Sequence, residues 1–443
     1  MASVGKLLTA VVIAAYAATA GAAASGEDLK PGTTLDQSNW QLAEGLLPPE
    51  ILNHYKDGGY SNTVVDWPVG TFNWPPDYKA STEKNAGQFK ISDSGTVVLN
   101  STGEQPPHIL GQPFPVIDPA DPQAAVKILW NYFYITWYYG NLHAQSQVNW
   151  IGQRGLERRT DQDVNFMYYD GISEHDRVPN PQNLASQQLV VVDSPADLAG
   201  TAALTWRYRD SAKRDSAWAF VPALRRVRAV SPANRSDGFL GSDMSQDDGP
   251  FFDGKPEDFT WKLKGEQDIL RFVDPLNLEG KSNSVWQPSG GWRANWDPEL
   301  KIIGYQDPDW KGLAWAARSP ALAKRRAWVL EGVPKDKYYL YGKLELYLDK
   351  ETYQGSWNRK FSWQGELLNT LQVIAYNLKP HTRPDGQVDY IQGSNMSYQV
   401  AENIKANRAT VAGLKSNPKS ALDVHVPYKP EFFDMNSLSR FGK

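Results

Sequence analysis

The sequence predicts a mainly β protein of the α+β kind, built on one large antiparallel sheet. Three observations lead there. From residue 156 onward, short β-like runs follow one another with Gly, Pro and Asp between them, as in an extended antiparallel sheet. Long helical periodicity is nearly absent, so helices are few. No fixed-period repeat is present, which counts against propellers and solenoids. The chain has 443 residues, 41% apolar and 22% charged. That composition supplies a real core and a charged surface. It excludes bulk disorder, collagen and a multi-span membrane protein.

The elements follow in order. Residues 1–24 read as a secretory signal: Lys6 is the positive end, Leu7 to Ala20 is apolar, and cleavage is expected near Ala24. A membrane anchor is the rival reading, but the stretch is short, Ala-rich and interrupted by Gly21. No later segment is long and apolar enough to cross a bilayer. Residues 25–443 read as a single exported domain, because no Ser- or Pro-rich linker divides them. Its first part, Gly26 to about Thr82, is Pro/Gly/Trp-rich and predicts turns and extended chain, with one short helical turn at Pro49 to Lys56. Gln88 to Leu99, broken by Asp93-Ser94-Gly95, predicts a hairpin.

Ala124 to Tyr139 is the best helix candidate, apolar on more than one face and therefore buried if helical. A strand stays open there, because the second half is aromatic and β-branched. Expected strands then run Leu156–Tyr169, Leu189–Val192, Ala203–Tyr208, Ala217–Val221, Arg225–Val230 and Phe259–Leu263. Arg326–Leu330, Tyr338–Leu348, Asn358–Trp363, Leu367–Tyr376 and Ser397–Ala401 complete the series.

Chemistry is harder to find than structure. The balance of 46 basic against 50 acidic residues argues against a nucleic-acid partner held by bulk charge. With no Cys, disulfides, thiolate nucleophiles and Cys-ligated zinc are excluded. The six His are scattered with no pair at metal-ligand spacing, so neither metal nor cofactor is expected. No nucleophile elbow, Walker loop or dinucleotide fingerprint occurs. Nothing singles out a catalytic pair among the carboxylates, whose ordinary place is solvated surface. What stands out is aromatic content, 17 Trp, 21 Tyr and 15 Phe.

The informative segment is Trp206 to Gly265. Basic strands carrying Arg207, Arg209, Arg225, Arg226 and Arg228 precede an acidic loop with Asp243, Asp247, Asp248 and Asp253. Two readings stand: the blocks neutralise each other within one sheet, or they form a charged rim that docks a partner. The loop from Asp243 to Gly249 is no EF-hand, because Asp248 stands where that motif needs Gly and Gly254 where it needs Glu, and a weaker cation site stays open on ligand type alone.

The run Trp218-Ala-Phe220-Val-Pro222-Ala-Leu224-Arg225-Arg226-Val-Arg228, then Gly238-Phe239-Leu240-Gly241-Ser242-Asp243-Met-Ser245-Gln-Asp247-Asp248, resembles the LolA/LolB lipoprotein-sorting superfamily of periplasmic proteins. With the paired strands around Arg326 to Gly332 and Tyr341 to Tyr353, and the Leu47-Pro48-Pro49-Glu50 region, it is similar to the large branch catalogued as domain of unknown function family 1329.

That resemblance implies a curved, incomplete barrel with helices on or in its concave face and an apolar cavity between them. It implies a non-enzymatic periplasmic carrier or adaptor for a hydrophobic or acylated ligand, working beside a large inner-membrane exporter and an outer-membrane barrel protein. Trp130, Phe133, Trp137, Trp206, Trp218, Phe220, Phe239 and Leu240 are the expected cavity residues, against the ordinary reading that aromatics fill the core. Arg225, Arg226, Arg228, Asp243, Asp247 and Asp248 are the expected rim contacts. Two rivals remain: an assembly factor bridging exporter and barrel by protein contacts, and a secreted carbohydrate-active protein, which needs two carboxylates flanking a groove.

Overall fold

A computed structural model describes residues 29–67, 74–231, 235–274, 283–295, 303–377, 381–386, 388–389, 394–413 and 422–441. The expected signal segment lies outside these residues. In the first half of the chain the strands are β1 (Thr34–Leu35), β2 (Asn62–Val65), β3 (Phe89–Ile91), β4 (Val97–Leu99), β5 (Leu142–Gly152), β6 (Gly155–Tyr168), β7 (Leu184–Ser194), β8 (Ala202–Tyr208), β9 (Ser216–Val221) and β10 (Arg226–Val230). The second half adds β11 (Phe259–Val273), β12 (Asn283–Trp286), β13 (Trp292–Asn295), β14 (Ala321–Pro334), β15 (Lys343–Asp349), β16 (Gly355–Phe361), β17 (Leu367–Asn377), β18 (His381–Thr382), β19 (Val388–Asp389), β20 (Ser394–Asn403), β21 (Arg408–Gly413) and β22 (Leu422–Val424). The α-helices described are α1 (Pro49–Lys56), α2 (Pro76–Asn85), α3 (Ala124–Tyr138) and α4 (Met435–Phe441).

Among the described residues, eighteen strands join one sheet. Its antiparallel path runs β10–β9–β8–β7–β6–β5–β21–β20–β17–β16–β15–β14–β11. The sheet curves into a partial ring that does not close into a barrel. Two pairings depart from the antiparallel expectation: β2 runs parallel to the start of β14, and Val273 of β11 meets Ala375 of β17 in parallel. β5 is shared, its first residues pairing with β22 and its last with β21.

The sequence expectation for β11 stopped at Leu263, yet the strand continues to Val273. The register against β14 shifts between Leu263 and Gly265, and Gly265 has φ 140°. A glycine at a bulge lets the strand bend and carry on, where a side chain would resist that backbone.

Helix α3 settles the ambiguity at Ala124 to Tyr139. Twelve of its 15 residues are buried, which requires apolar side chains all round the helix rather than along one stripe. Its one buried amide is satisfied, since Asn131 accepts from the Phe114 N–H at 3.1 Å and donates to the Phe114 carbonyl at 2.7 Å. Ile128, Leu129 and Phe133 pack with Leu330, Leu346, Leu371 and Val373 on one face of the sheet. The alternate residues Val329, Tyr347, Ile374 and Val400 face the other way, onto Leu35, Leu47, Ile51 and Tyr55 of the N-terminal segment. Burying each such side chain contributes about 1.5–3 kcal/mol, so this half of the sheet is a sandwich filled on both sides.

Candidate functional site

The half of the sheet from β5 to β8 is built differently. Side chains alternate between two faces along each strand. On one face Met167, Leu189, Val191, Ala202 and Leu204 are buried beneath Phe433 and Leu438 of the C-terminal segment. On the other face the residues between them, among them Val164, Phe166, Val190 and Ala203, floor a cavity of about 250 Å³ that opens to solvent. An enclosed apolar space of about 150 Å³ already admits benzene.

Two further elements complete the walls. Val148 of β5 and Ala412 of β21 form one side, paired through the β5–β21 register. The roof is the loop from Phe239 to Pro250, which contributes Phe239, Ser242, Met244 and Gln246. Gln162, Gln188, Thr205 and Gln399 bring amides and a hydroxyl to the lining, and among the described residues no lining side chain is an Asp, Glu, Lys, Arg or His. The site therefore presents apolar surface with a few neutral hydrogen-bonding groups, the usual composition of a small-molecule pocket.

Ion pairs and hydrogen bonds hold the roof down. Asp243 pairs with Arg408 at 3.1 Å and accepts from Asn403 at 2.8 Å. Asp248 pairs with Lys360 at 2.6 Å, and its backbone carbonyl accepts from Gln399 at 2.6 Å. Asp247 pairs with Arg235 at 2.5 Å and accepts from the Tyr339 hydroxyl at 2.8 Å. Arg235 also reaches Asp215 at 3.1 Å and Asp253 at 2.9 Å, and Arg207 bridges the same two acids. Burial pushes the Asp215 carboxyl up, but Arg207 and Arg235 outweigh it and hold the group below the usual range. At Asp253 burial wins over the same arginines and the shift is upward.

The residues singled out from sequence fall in four places. Trp130, Phe133 and Trp137 are buried in the core around α3, their rings 5.5–6.3 Å apart. They border a crevice of about 20 Å³. Trp206, Trp218 and Phe220 lie on the opposite face of β8 and β9, where the Trp206 indole donates to the Phe433 carbonyl at 2.9 Å. Phe239 lines the roof, and Leu240 next to it stands outside the lining with φ 49°. Arg225, Arg226 and Arg228 are exposed on the β9–β10 hairpin, whereas Asp243, Asp247 and Asp248 are buried.

The two charge blocks thus neutralise each other in part: Arg207 of the basic strands pairs with Asp253 at 2.9 Å, while Arg225, Arg226 and Arg228 stay exposed. Asp247, Asp248 and Asp243 are matched by Arg235, Lys360 and Arg408, so these three carboxylates face cations of the protein itself. The hollow was expected between the sheet and Ala124–Tyr139. Side chains fill that space, and the hollow lies beside it, with Thr136 of α3 at one corner. The lining residues missed from sequence, Gln162, Val164 and Phe166 of β6 with Gln188 and Val190 of β7, carried a two-residue alternation as their only signal.

Comparison with known proteins gives a family. The family described as a protein of unknown function, DUF1329, matches residues 34–439. An uncharacterized protein of Pseudomonas aeruginosa is 22% identical over 369 residues, 79% of this chain and 68% of that protein. Among solved structures, a Vibrio parahaemolyticus domain named for outer membrane lipoprotein sorting is similar at 16% identity and TM-score 0.47, over 72% of this chain and 100% of that one. A DUF1329 family protein from Desulfovibrio piger is similar at 15% identity and TM-score 0.43, over 72% of this chain and 100% of that one. A LolA superfamily protein from Nitrosomonas europaea is similar at 12% identity and TM-score 0.40, over 71% and 98%.

Proposed function

The chain belongs to the DUF1329 family, and on that premise we propose that it is a non-enzymatic carrier, exported to the periplasm, that shelters part of a hydrophobic ligand over strands β5–β8. The observation that carries this reading is the open, uncharged cavity. A sixteen-carbon chain in water costs about 12 kcal/mol at roughly 0.8 kcal/mol per CH₂. Crossing an aqueous compartment unaided is therefore negligible, and a surface that covers even part of such a chain lowers that cost. Among the described residues the lining holds no carboxylate pair of the kind glycoside hydrolysis uses, which weighs against the carbohydrate-active rival.

Delivery needs release as well as capture, so a cavity open at one side suits the task better than a sealed one. Delipidated full-length mature protein should bind an environment-sensitive fluorescent fatty acid or phospholipid, and protein from an envelope extract should carry lipid detectable by mass spectrometry. If it binds no such probe and copurifies with no lipid, the carrier reading is wrong.

A further inference from the structure

The cavity floor does not end where the cavity ends. Residues paired across an antiparallel sheet share a face. Val164 pairs with Val190, Val190 with Ala203, Ala203 with Ala219, and Ala219 with Arg228. The neighbouring pair Val221–Arg226 lies on the same face, because alternate residues of one strand do. The intervening residues confirm the assignment: Phe220 and Val227 pack on the opposite face, with Leu204 and Phe433. A single row of side chains thus runs from the uncharged floor to two arginines on the outer strand of the described sheet.

Those arginines are set apart from the rest of the molecule. Arg226 and Arg228 are exposed, and among the described residues neither makes an ion pair. No acidic residue occurs between Ser216 and Ser231. The buried acids of the adjoining loop, Asp247, Asp248 and Asp243, are already matched by Arg235, Lys360 and Arg408. From Ala203, the last lining residue of the row, to Arg228 is two strand spacings of about 4.8 Å each.

From this we infer that the ligand is an amphiphile with an anionic headgroup: its tail occupies the uncharged cavity, and its carboxylate or phosphate is held at the sheet edge by Arg226 and Arg228, with Arg225 beside them at the turn. A guanidinium matches either anion with parallel N–H donors. Among the described residues no cation lines the wall, so the cavity itself offers the charge no counter-ion. It has to lie at the end of the row. This inference rests on the carrier reading and names its substrate class.

The test uses delipidated full-length protein and displacement of a fluorescent tail probe by hexadecanol, hexadecanoate and hexadecyl phosphate, at low and high salt. The anionic competitors should bind about five- to tenfold more tightly than hexadecanol at low salt, as expected for two exposed ion pairs, and the advantage should shrink at high salt. Comparing the two acids tells whether the carboxylate or the phosphate is preferred. In Arg226→Gln/Arg228→Gln, on an exposed strand where folding is not at stake, the preference should vanish while hexadecanol binding stays as it was. Equal affinities for alcohol and acids in the wild type, or an unchanged preference in the variant, would overturn the headgroup assignment and leave the carrier reading standing. Failure of all three to displace the probe sinks both.

Discussion

Removing the charge of Lys360 should destabilise the protein more than any exposed substitution. Its side chain is 2% exposed and that of Asp248 1%, at 2.6 Å from each other, so neither charge is screened by water. Lys360 also donates to Asn369 at 3.2 Å, and Asp248 accepts from the Ser245 N–H at 2.7 Å. Lys360→Gln leaves the Asp248 carboxylate buried with only that N–H for a partner. Removing one member of a buried pair costs about 3–5 kcal/mol. Asp248→Asn in the same background removes the stranded charge and keeps the acceptor for Ser245, so the double variant should recover about 1–3 kcal/mol of the loss. Urea unfolding followed by tryptophan fluorescence measures this through the shift in midpoint at constant slope. A Lys360→Gln protein within about 1 kcal/mol of wild type, or a double variant worse than the single, would refute the idea that charge pairing holds the roof over the cavity.

Three further outcomes follow from the same physics. Glu257 is buried against Lys255, with one carboxyl oxygen unpartnered, and burial pushes its pKa up to about 7. Folding then favours the protonated acid, so its contribution is present below about pH 4.5 and is lost as pH rises through about 7. Glu257→Gln should flatten the fall in melting temperature between pH 5 and pH 8, and an unchanged slope would contradict this. His143 has the opposite chemistry: hydrogen bonds to Asp163 at 2.7 Å and Asp423 at 3.2 Å raise its pKa to about 9. Its stabilisation is complete below about pH 6.5 and disappears as pH climbs through 9, so His143→Asn should narrow the stability difference between pH 6 and pH 10. Val190→Phe, which places a ring in the cavity, should weaken tail-probe binding at least about tenfold while the melting temperature stays near wild type; undiminished binding would place the ligand elsewhere.

The sequence revealed the elements whose residues are committed to one environment. Helix α3 was legible because a segment apolar on every side has nowhere to go but the interior. β6, β8, β9, β16 and β17 were legible from their β-branched and aromatic alternation. β5 was not, because Gln145, Ser146 and Gln147 interrupt any apolar pattern. The fold explains them: Ser146 faces the mixed lining of the cavity, and Gln147 donates to Asp161 across the strand pair at 2.7 Å. α2 was hidden by the Pro residues before it, although Pro76 sits in the first turn, where its missing N–H does no harm. The DUF1329 resemblance was carried by the Trp218 to Asp248 block, and the family match spans far more of the chain. Of the loop's partners, Arg207 and Arg235 lie near it in sequence, whereas Lys360 and Arg408 were out of reach because the fold brings them in from the distant strands β16 and β21.

The aromatics point to a more general distinction between filling and lining. A large ring gains most when other rings and aliphatic groups surround it. Trp130, Phe133 and Trp137 do this with one another, and Trp206 and Trp218 do it at 5.1 Å on the far face. A wall that must exchange ligand has the reverse requirement, since side chains that satisfy one another completely leave no room. The floor of the cavity sets Val, Ala, Thr and Gln around Phe166 and Tyr168, mostly short or neutral side chains that leave space above them, and leaves the closing to a roof held by charge. The two faces of β6–β8 therefore divide the labour: Phe433 and Leu438 seal one for stability, and the other stays open at the cost of unburied apolar surface. That cost of roughly 25 cal/mol per Å² is what a bound tail would offset, so ligand-loaded protein should melt at a higher temperature than delipidated protein, by an amount that grows with ligand concentration.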